Sequence, residues 1–400
     1  MFDATALRGI GRPLDDPATL GRTVDDLLRG RSAPPTLLAL GEPTHGIDAF
    51  PALRNDLLRH LVGRGFRSIV LETDIFAAGV VDAFVAGADV DIDTVLATGF
   101  SHGFGTLPGN RELLDWLRGH NAGRAPHDRV RFHGFDAPLE FASAPSPRHS
   151  LSVAVDHLPA ALRPEAVRDL DGLLGDEADW TNEAAMYDPT VSVGGTARAR
   201  TLRGVADAVA DALHHAAPDP DSAGHDLAVA HARTARGLLR YHAAMATPSP
   251  DRIATLLGIR SELMAANLLA IVAREQGRGP GLVFAHNAHL RRAPSETLAD
   301  AAAGAGAGEL VGRALGDRYL FVAADAAPDN APGTLQGMLA AATTRRSLFA
   351  APALRAALPP TVEAGDPIVR GHLPLTRGDL DRADAVVFVA DSDGAQHRYW

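Results

Sequence analysis

Two short segments carry residues whose types and spacing could move a proton. Glu42 and His45 stand three residues apart in "GEPTHG", and His286 and His289 stand three apart in "AHNAHL". An imidazole titrates near neutral pH, and a neighbouring carboxylate can select its tautomer, so these pairs suit general acid–base chemistry. The same nitrogen and oxygen atoms could alternatively hold a metal ion, although the H-E-x-x-H zinc motif is absent.

Further polar side chains follow apolar runs of the sequence. Glu72 and Asp74 end "SIVLETD", Asn287 lies between the two later histidines, and "GFSHGFG" contains Ser101 and His102. A carboxylate that ends an apolar run needs a partner or a raised pKa, which makes Glu72 a second acidic candidate. No G-x-S-x-G elbow is present, so catalysis by a serine nucleophile is not favoured.

The elements that must position these residues are strands. Six apolar runs predict buried strands, at 35–41, 66–72, 130–136, 281–286, 319–325 and 384–391. Amphipathic helical patterns separate them, so we predict an α/β fold with a mostly parallel central sheet flanked by helices. Ligands of such sheets bind beyond the carboxyl ends of the strands, where we expect the candidates to meet. Asp136, Asp325 and Asp391 also follow strands and are interpreted as turn residues.

The pattern changes in the middle of the chain. From about residue 151 to residue 276 the strand signal gives way to long helical periodicity, interrupted by clusters of Pro, Gly and Asp. We therefore predict a discontinuous α/β core, 1–150 and 277–400, with a large helical insertion at 151–276 that covers the cleft.

Composition excludes several classes of function. The chain has 400 residues, 46% of them hydrophobic, and a formal charge of −11 without a basic run, which argues against nucleic-acid binding. Cysteine and lysine are absent, so disulfides, thiolate nucleophiles, cysteine-bound zinc and lysine Schiff bases are excluded. Neither a signal peptide nor an apolar run of about 20 residues is evident, and we expect a cytoplasmic protein without a membrane partner. The oligomeric state is not readable from the sequence.

The ordered motifs "GEPTHG", "LLDWLRGHN", "IRSELMAAN" and "VFAHNAHL" resemble those of the erythromycin esterase family over residues 35–325, approximately. The resemblance implies a metal-independent hydrolase of macrolide lactones that uses no cofactor, with a helical lobe over a deep cleft. The chain differs from the family pattern in "LETDI", in "GFSHGFGTLPGN" and at Ser261, which follows Arg260. These changes fall on the expected substrate wall. They leave the acid–base residues unchanged, but the identity of the substrate is left undecided.

The resemblance also implies roles for individual residues. His45 resembles the family's general base for water, and its expected catalytic partners are Glu42, Glu72, His286, His289 and Arg54. Arg260 resembles an arginine of a family helix and is expected on the substrate side. The positions of Asp74, Ser101, His102 and Asn287 in the polar segments described above, and not the resemblance, make them further candidates for the substrate side.

Two enzymatic hypotheses and one binding hypothesis follow for a small-molecule substrate. In the first, His45 removes a proton from water, which then attacks an ester or macrolactone of a natural product, and His286, His289 or Arg54 stabilises the oxyanion. In the second, the same site catalyses a non-hydrolytic biosynthetic step, such as an intramolecular cyclisation, an acyl transfer or a rearrangement. In the third, the protein only sequesters a hydrophobic ligand. The enzymatic hypotheses correspond to antibiotic resistance and to natural product biosynthesis.

Overall fold

The computed structural model describes residues 5–139, 144–216, 223–292, 306–327 and 331–398. These residues divide into two compact units. The first unit contains the described residues of Met1–Phe135, Leu268–Leu298 and Ala305–Trp400, and the second contains those of Asp136–Asn267. The domain organisation predicted above, 1–150, 151–276 and 277–400, stays a prediction.

A mixed sheet forms the centre of the first unit. Its strands are β1 (Arg12–Pro13), β2 (Leu37–Glu42), β3 (Ser68–Asp74), β4 (Arg131–Asp136), β5 (Gly281–His286), β6 (Tyr319–Ala326), β7 (Arg346–Ala350) and β8 (Ala385–Val389). Their order is β1-β7-β8-β6-β2-β5-β3-β4. Strand β2 pairs in parallel with β5 and β6, β3 with β5 and β6 with β8, whereas β7 is antiparallel to both β8 and β1. The predicted class, a mostly parallel sheet flanked by helices, is confirmed.

The α-helices are, in chain order, α1 (Thr5–Ile10), α2 (Pro17–Arg29), α3 (Ala49–Val62), α4 (Ala78–Val85), α5 (Ile92–Thr98), α6 (Pro108–Asn121), α7 (Arg148–His157), α8 (Leu170–Leu174), α9 (Glu177–Trp180), α10 (Ala197–His215), α11 (Ala223–Met245), α12 (Arg252–Arg274), α13 (Asn287–Leu290), α14 (Ala307–Leu315), α15 (Leu335–Ala342) and α16 (Ala351–Ala357). Between α7 and α12, the described residues form helices and turns and no strand.

Burial on both faces explains why the central strands are continuous apolar runs. Every residue of β2, β5, β6 and β8 is buried, so neither face of these strands could carry an alternating polar pattern. Helix α3 contributes the facing layer through residues at helical spacing, including Phe50, Leu53, Leu57 and Leu61, all buried. The sheet and its helices thus give rigid support to whatever follows the carboxyl ends of β2, β3 and β5.

The second unit has its own apolar core. Helices α7, α10 and α11 pack together around Leu151, Leu202, Val209 and Leu239, all of which are buried. Asp136, at the end of β4, is fully buried and forms an ion pair with Arg260 within this unit. The interpretation of Asp136 as a turn residue was therefore wrong, because its carboxylate is neutralised by an arginine that lies far away in sequence.

Helix α12 is long and apolar enough to cross a membrane by length and composition. From the sequence we expect no apolar run of about 20 residues, so this helix differs from the expectation. It meets the criterion because hydropathy is averaged along the helix, where the apolar residues outweigh Arg260 and Glu262. Core helices of soluble proteins meet the same criterion, so it is weak evidence for a membrane span.

Candidate active site

Strand order brings the two histidine-containing segments together. Strand β5 lies between β2 and β3, although it follows both by some two hundred residues in the chain. In the β2–β5 register Glu42 stands directly opposite His286, and Glu72 lies on β3 at the other side of β5. The carboxyl ends of three neighbouring parallel strands therefore present two carboxylates and an imidazole at one edge of the sheet.

His45 lies in the loop after β2 and contacts both carboxylates. Its Nδ1 is 2.7 Å from Glu42 Oε1, and its Nε2 is 3.8 Å from Glu72 Oε1. The ring packs against Phe104, with 4.7 Å between ring centroids, and lies 5.4 Å from the ring of His286. Because Nδ1 donates to the Glu42 carboxylate, Nε2 is the nitrogen that can accept a proton beside Glu72.

His286 has a defined tautomer. Its Nδ1 accepts a hydrogen bond from the backbone N–H of Ala288 (3.1 Å), and its Nε2 donates to the carbonyl oxygen of Pro43 (2.9 Å). Burial and the charge of His45 lower the pKa of His286 to about 3, which agrees with a neutral ring. His286 therefore supports the loop that carries His45.

Glu72 joins the remaining histidine to this group. Its Oε2 accepts a hydrogen bond from the backbone N–H of His286 (2.9 Å), and its Oε1 lies 3.2 Å from Nε2 of His289. The Glu72 side chain is buried, whereas the His289 side chain is 20% exposed. One carboxylate thus faces both His45 and His289, and both of these rings keep some access to solvent.

Burial and charge act in opposite directions on the pKa values of the Glu42–His45 pair. Burial raises the pKa of Glu42 above its usual value, although the hydrogen bond from His45 opposes the change. Burial alone would lower the pKa of His45, but the charges of Glu72 and Glu42 overcome it and raise that pKa. His45 is consequently a stronger base than an isolated histidine.

Arg54 lies inside the protein, behind Glu42. It is 1% exposed and donates hydrogen bonds to Asn55 Oδ1, Asn110 Oδ1 and the carbonyl oxygen of Gly109. A cavity of about 20 Å³, enough for one water molecule, is lined by Arg54, Glu42 and Asn110 among others. Within the described part of the chain Glu42 Oε2 has no hydrogen-bond partner. The charge of Arg54 favours ionised Glu42, but these contacts hold the guanidinium in the interior.

Asn287 was expected on the substrate side, but its side chain forms hydrogen bonds with the backbone of β6. Its Nδ2 donates to the carbonyl oxygen of Ala324 (2.8 Å), and its Oδ1 accepts from the N–H of Ala324 (3.2 Å). The side chain passes so close to β2 that a Cβ added to Gly41 would lie 2.0 Å from Asn287 Oδ1. A glycine at 41 is therefore required for packing. The NH₂ and the C=O of the Asn287 side chain both have structural partners.

The other expected substrate residues have structural contacts of their own. Ser101 Oγ accepts from the N–H of Asp74 (3.0 Å), and the Asp74 carboxylate accepts from the N–H of Phe76 (2.6 Å), which closes the turn after β3. His102 has a φ of 57°, and its ring lies 5.5 Å from that of Phe104. Because Phe104 also packs against His45, His102 lies near the site. Arg260 belongs to the second unit, where it pairs with Asp136.

The sequence patterns missed three contributors to the site. Phe104 supplies an apolar wall for His45, the Pro43 carbonyl binds His286, and Gln396, from the last strand-free segment of the chain, donates to the His45 carbonyl oxygen (2.8 Å). Phe104 lay within the glycine-rich segment already noted, but a backbone carbonyl and a distant glutamine leave no readable signal in sequence.

Two further findings concern the surroundings of the site. Within the described ranges, no group of three or more His, Asp or Glu residues is arranged to hold a metal ion. A groove of about 800 Å³ lies at the opposite, amino ends of the strands, against Leu37, Ser68 and Gly281, and contains none of the candidate residues.

Comparisons with known proteins agree with the motifs. A sequence model of the erythromycin esterase family matches residues 62–350, a range that includes Glu72, His286 and His289 but not Glu42 or His45. No curated protein matches the chain.

Three solved structures share the fold. A protein from Bacillus cereus is 17% identical with a TM-score of 0.72, over 96% of each chain. A succinoglycan biosynthesis protein is 14% identical with a TM-score of 0.67, over 96% of this chain and 95% of the other. A mutant of the erythromycin esterase EreC in its open conformation is 16% identical with a TM-score of 0.69, over 95% of each chain. At these identities the likeness shows a common fold.

Proposed function

We propose that this chain, which belongs to the erythromycin esterase family, hydrolyses an ester or macrolactone of a natural product by general-base activation of water. Family membership supports a hydrolase. The identity of the general base, the type of bond that is cleaved and the substrate are our proposals. The observation that carries them is the position of His45, whose Nδ1 is bound to Glu42 while Nε2 faces Glu72.

The reaction begins with a proton transfer. His45 Nε2 takes a proton from water, and the oxygen of that water attacks the carbonyl carbon of the substrate. The resulting imidazolium is stabilised by Glu42 and Glu72, whose charges raise the pKa of His45. A positioned base of this kind contributes on the order of 10²–10⁴ in rate.

The tetrahedral intermediate then collapses. Its negatively charged oxygen needs a donor, and of the three expected donors Arg54 and His286 have their hydrogen bonds directed at protein atoms. His289 is the proposed donor, because its ring is partly exposed: with Nε2 directed at Glu72, the doubly protonated ring presents its Nδ1–H to the substrate. The C–O bond of the ester breaks, the leaving alkoxide takes the proton back from His45, and an acid and an alcohol are released.

The site uses no cofactor and no metal in this proposal, because two carboxylates and two imidazoles supply the acid–base groups. Residues Asp74, Ser101, His102 and Arg260 remain proposed substrate-side residues, with macrolides and simpler lactones as the candidate substrates. A cytoplasmic location and a small-molecule partner stay predictions.

The test is a panel of macrolides and simple lactones, incubated with the protein with and without EDTA and read by mass spectrometry. We expect a product heavier than its substrate by one water, unchanged by EDTA and lost in His45→Asn. His60→Asn is the matched control, because His60 pairs with Asp25 away from the site. Full activity of His45→Asn, or trapping of a covalent acyl-enzyme, would refute the mechanism.

The same assay separates the alternative functions. A non-hydrolytic cyclisation or rearrangement gives a product without added water, and one solved structure of the same fold is described as a biosynthesis protein. A binding protein forms no product at all, and its ligand affinity would not change in His45→Asn or Glu72→Gln.

A further inference from the structure

The loop that carries His45 is held from outside by the C-terminal part of the chain. We call Pro43–Gly46 the histidine loop. The carbonyl oxygen of Pro43 accepts from the N–H of Leu373 (3.0 Å), and the carbonyl oxygen of Gly46 accepts from the N–H of His397 (2.8 Å). These donors lie beyond residue 350, where the family match ends. The histidine loop therefore depends on contacts that the family match does not cover.

The first of these C-terminal contacts is firmly anchored to the sheet. His372, next to Leu373, donates through Nε2 to Asp325 Oδ1 (2.8 Å), while its Nδ1 accepts from the N–H of Ile368 (3.0 Å). Both side chains of the His372–Asp325 pair are fully buried. Asp325, interpreted from sequence as a turn residue, is instead the anchor at the end of β6. The segment around Leu373 is thus a rigid neighbour of the histidine loop.

Gln396 connects this anchored segment to His45. Its amide Nε2 donates toward the carbonyl oxygen of His45 (2.8 Å), the carbonyl oxygen of Arg370 (3.1 Å) and Thr44 Oγ1 (3.2 Å). Thr44 Oγ1 in turn donates to the carbonyl oxygen of Arg370 (3.3 Å). Three acceptors from two separate segments thus converge on one donor group.

We propose that Gln396 is a positioning residue for the reaction, which fixes the main chain of His45 so that its ring stays between Glu42 and Glu72. This inference rests on the proposed function, because it assigns Gln396 a role through the proposed base. The hydrogen bond on Nδ1 and the 3.8 Å approach on Nε2 are set by the orientation of the ring, which follows the backbone of the loop. A shift of about 1 Å at a reacting group can cost on the order of 10² in rate.

The chemistry of the contact defines a series of variants. Gln396→Met has a similar length but no donor, Gln396→Glu directs a negative charge at two carbonyl oxygens, and Gln396→Lys offers three donors to the same acceptors. Gln276, exposed at the other end of the strands, provides the matched controls Gln276→Met and Gln276→Glu. Thermal unfolding of each variant reports whether the protein as a whole is intact.

Two readouts decide the proposal. The pKa of His45 is measured by ¹⁵N NMR of histidine-labelled protein, assigned with His45→Gln, and we expect Gln396→Met to lower it by at least about 0.5 unit as the ring moves away from the carboxylates. The second readout is kinetic, with erythromycin as the substrate. We expect kcat to fall at least about tenfold in Gln396→Met and Gln396→Glu, while KM changes less than about twofold. In Gln396→Lys we expect kcat to stay within about threefold of the wild-type value.

The outcomes are distinguishable. A wild-type His45 pKa in Gln396→Met overturns the proposal. Equal losses of kcat in the Lys and Met variants also overturn it, because donor capacity would then be irrelevant. An effect of charge alone predicts the opposite order, with Gln396→Glu active and Gln396→Lys impaired. If the wild-type protein does not hydrolyse erythromycin, that form of the proposed function fails, while the pKa of His45 still decides the role of Gln396.

Discussion

Asn287 should stabilise the protein through its hydrogen bonds to β6 and should take no part in substrate binding. Replacing it by alanine leaves both the N–H and the C=O of Ala324 without the partners at 3.2 and 2.8 Å. Ala324 is fully buried, and each buried backbone group left unpaired costs about 1–3 kcal/mol, so Asn287→Ala should lower the free energy of unfolding by about 2–6 kcal/mol. KM of any substrate that the protein turns over should be unchanged in the folded enzyme.

The same geometry predicts that Asn287 and Gly41 are energetically coupled. A Cβ on residue 41 would lie 2.0 Å from Asn287 Oδ1 and 3.0 Å from its Cγ, atoms that are absent in Asn287→Ala, although the Cα of residue 287 remains at 3.2 Å. Gly41→Ala should therefore cost about 1–3 kcal/mol in the wild type and less in Asn287→Ala. The double mutant should be more stable than the sum of the single effects predicts, by about 1 kcal/mol or more.

Urea unfolding of the four proteins, followed by circular dichroism, measures this coupling. Asn121 provides the control, because its buried amide also bonds to backbone groups, at Val85 and Val130, without touching Gly41. Asn121→Ala and Gly41→Ala should be additive within about 0.5 kcal/mol. Additivity of Asn287→Ala with Gly41→Ala would refute the reasoning, as would a KM effect of Asn287→Ala without loss of stability.

Three further outcomes follow from the described contacts. Asp136→Asn should lower the free energy of unfolding by about 3 kcal/mol in urea denaturation, because it removes the fully buried charge that pairs with the Arg260 guanidinium. Asp171→Asn, at a 93% exposed carboxylate, should cost less than about 1 kcal/mol. Because the pKa of His286 is lowered to about 3 in the native state, only the unfolded state binds its proton between that pH and about 6.5. Stability should therefore fall with falling pH across this window, and unfolding curves of His286→Gln should show a shallower dependence. Glu42→Gln removes a charge that raises the pKa of His45, so the acidic limb of the pH–kcat/KM profile should move to lower pH. An unmoved limb would contradict His45 as the titrating base.

The sequence by itself determined the fold class and the family. Strands buried on both faces must be apolar throughout, so β2, β5, β6 and β8 were visible as runs without any knowledge of their neighbours. Strands β1 and β7 were not predicted, because they are short and lie at the antiparallel edge, where the pattern is weak. The ordered motifs sufficed to identify the erythromycin esterase family, which the match over residues 62–350 confirms.

The candidate site was only partly readable. Spacing alone indicated that Glu42 and His45 could touch, since a loop brings residues three apart together, and the structure places them 2.7 Å apart. That Glu72 also reaches this group required β5 to lie between β2 and β3, and strand order is not encoded in any one segment.

Only the tertiary structure decided how each polar group is used. Sequence reasoning assigned Asn287 to a substrate and Asp325 to a turn, yet one bonds to the backbone of β6 and the other anchors His372. Gln396 carried no signal at all, because its importance comes entirely from the carbonyl groups it meets. Local periodicity reports whether a residue is buried, whereas the partner of a buried polar group is chosen by chain segments that meet only in the folded protein.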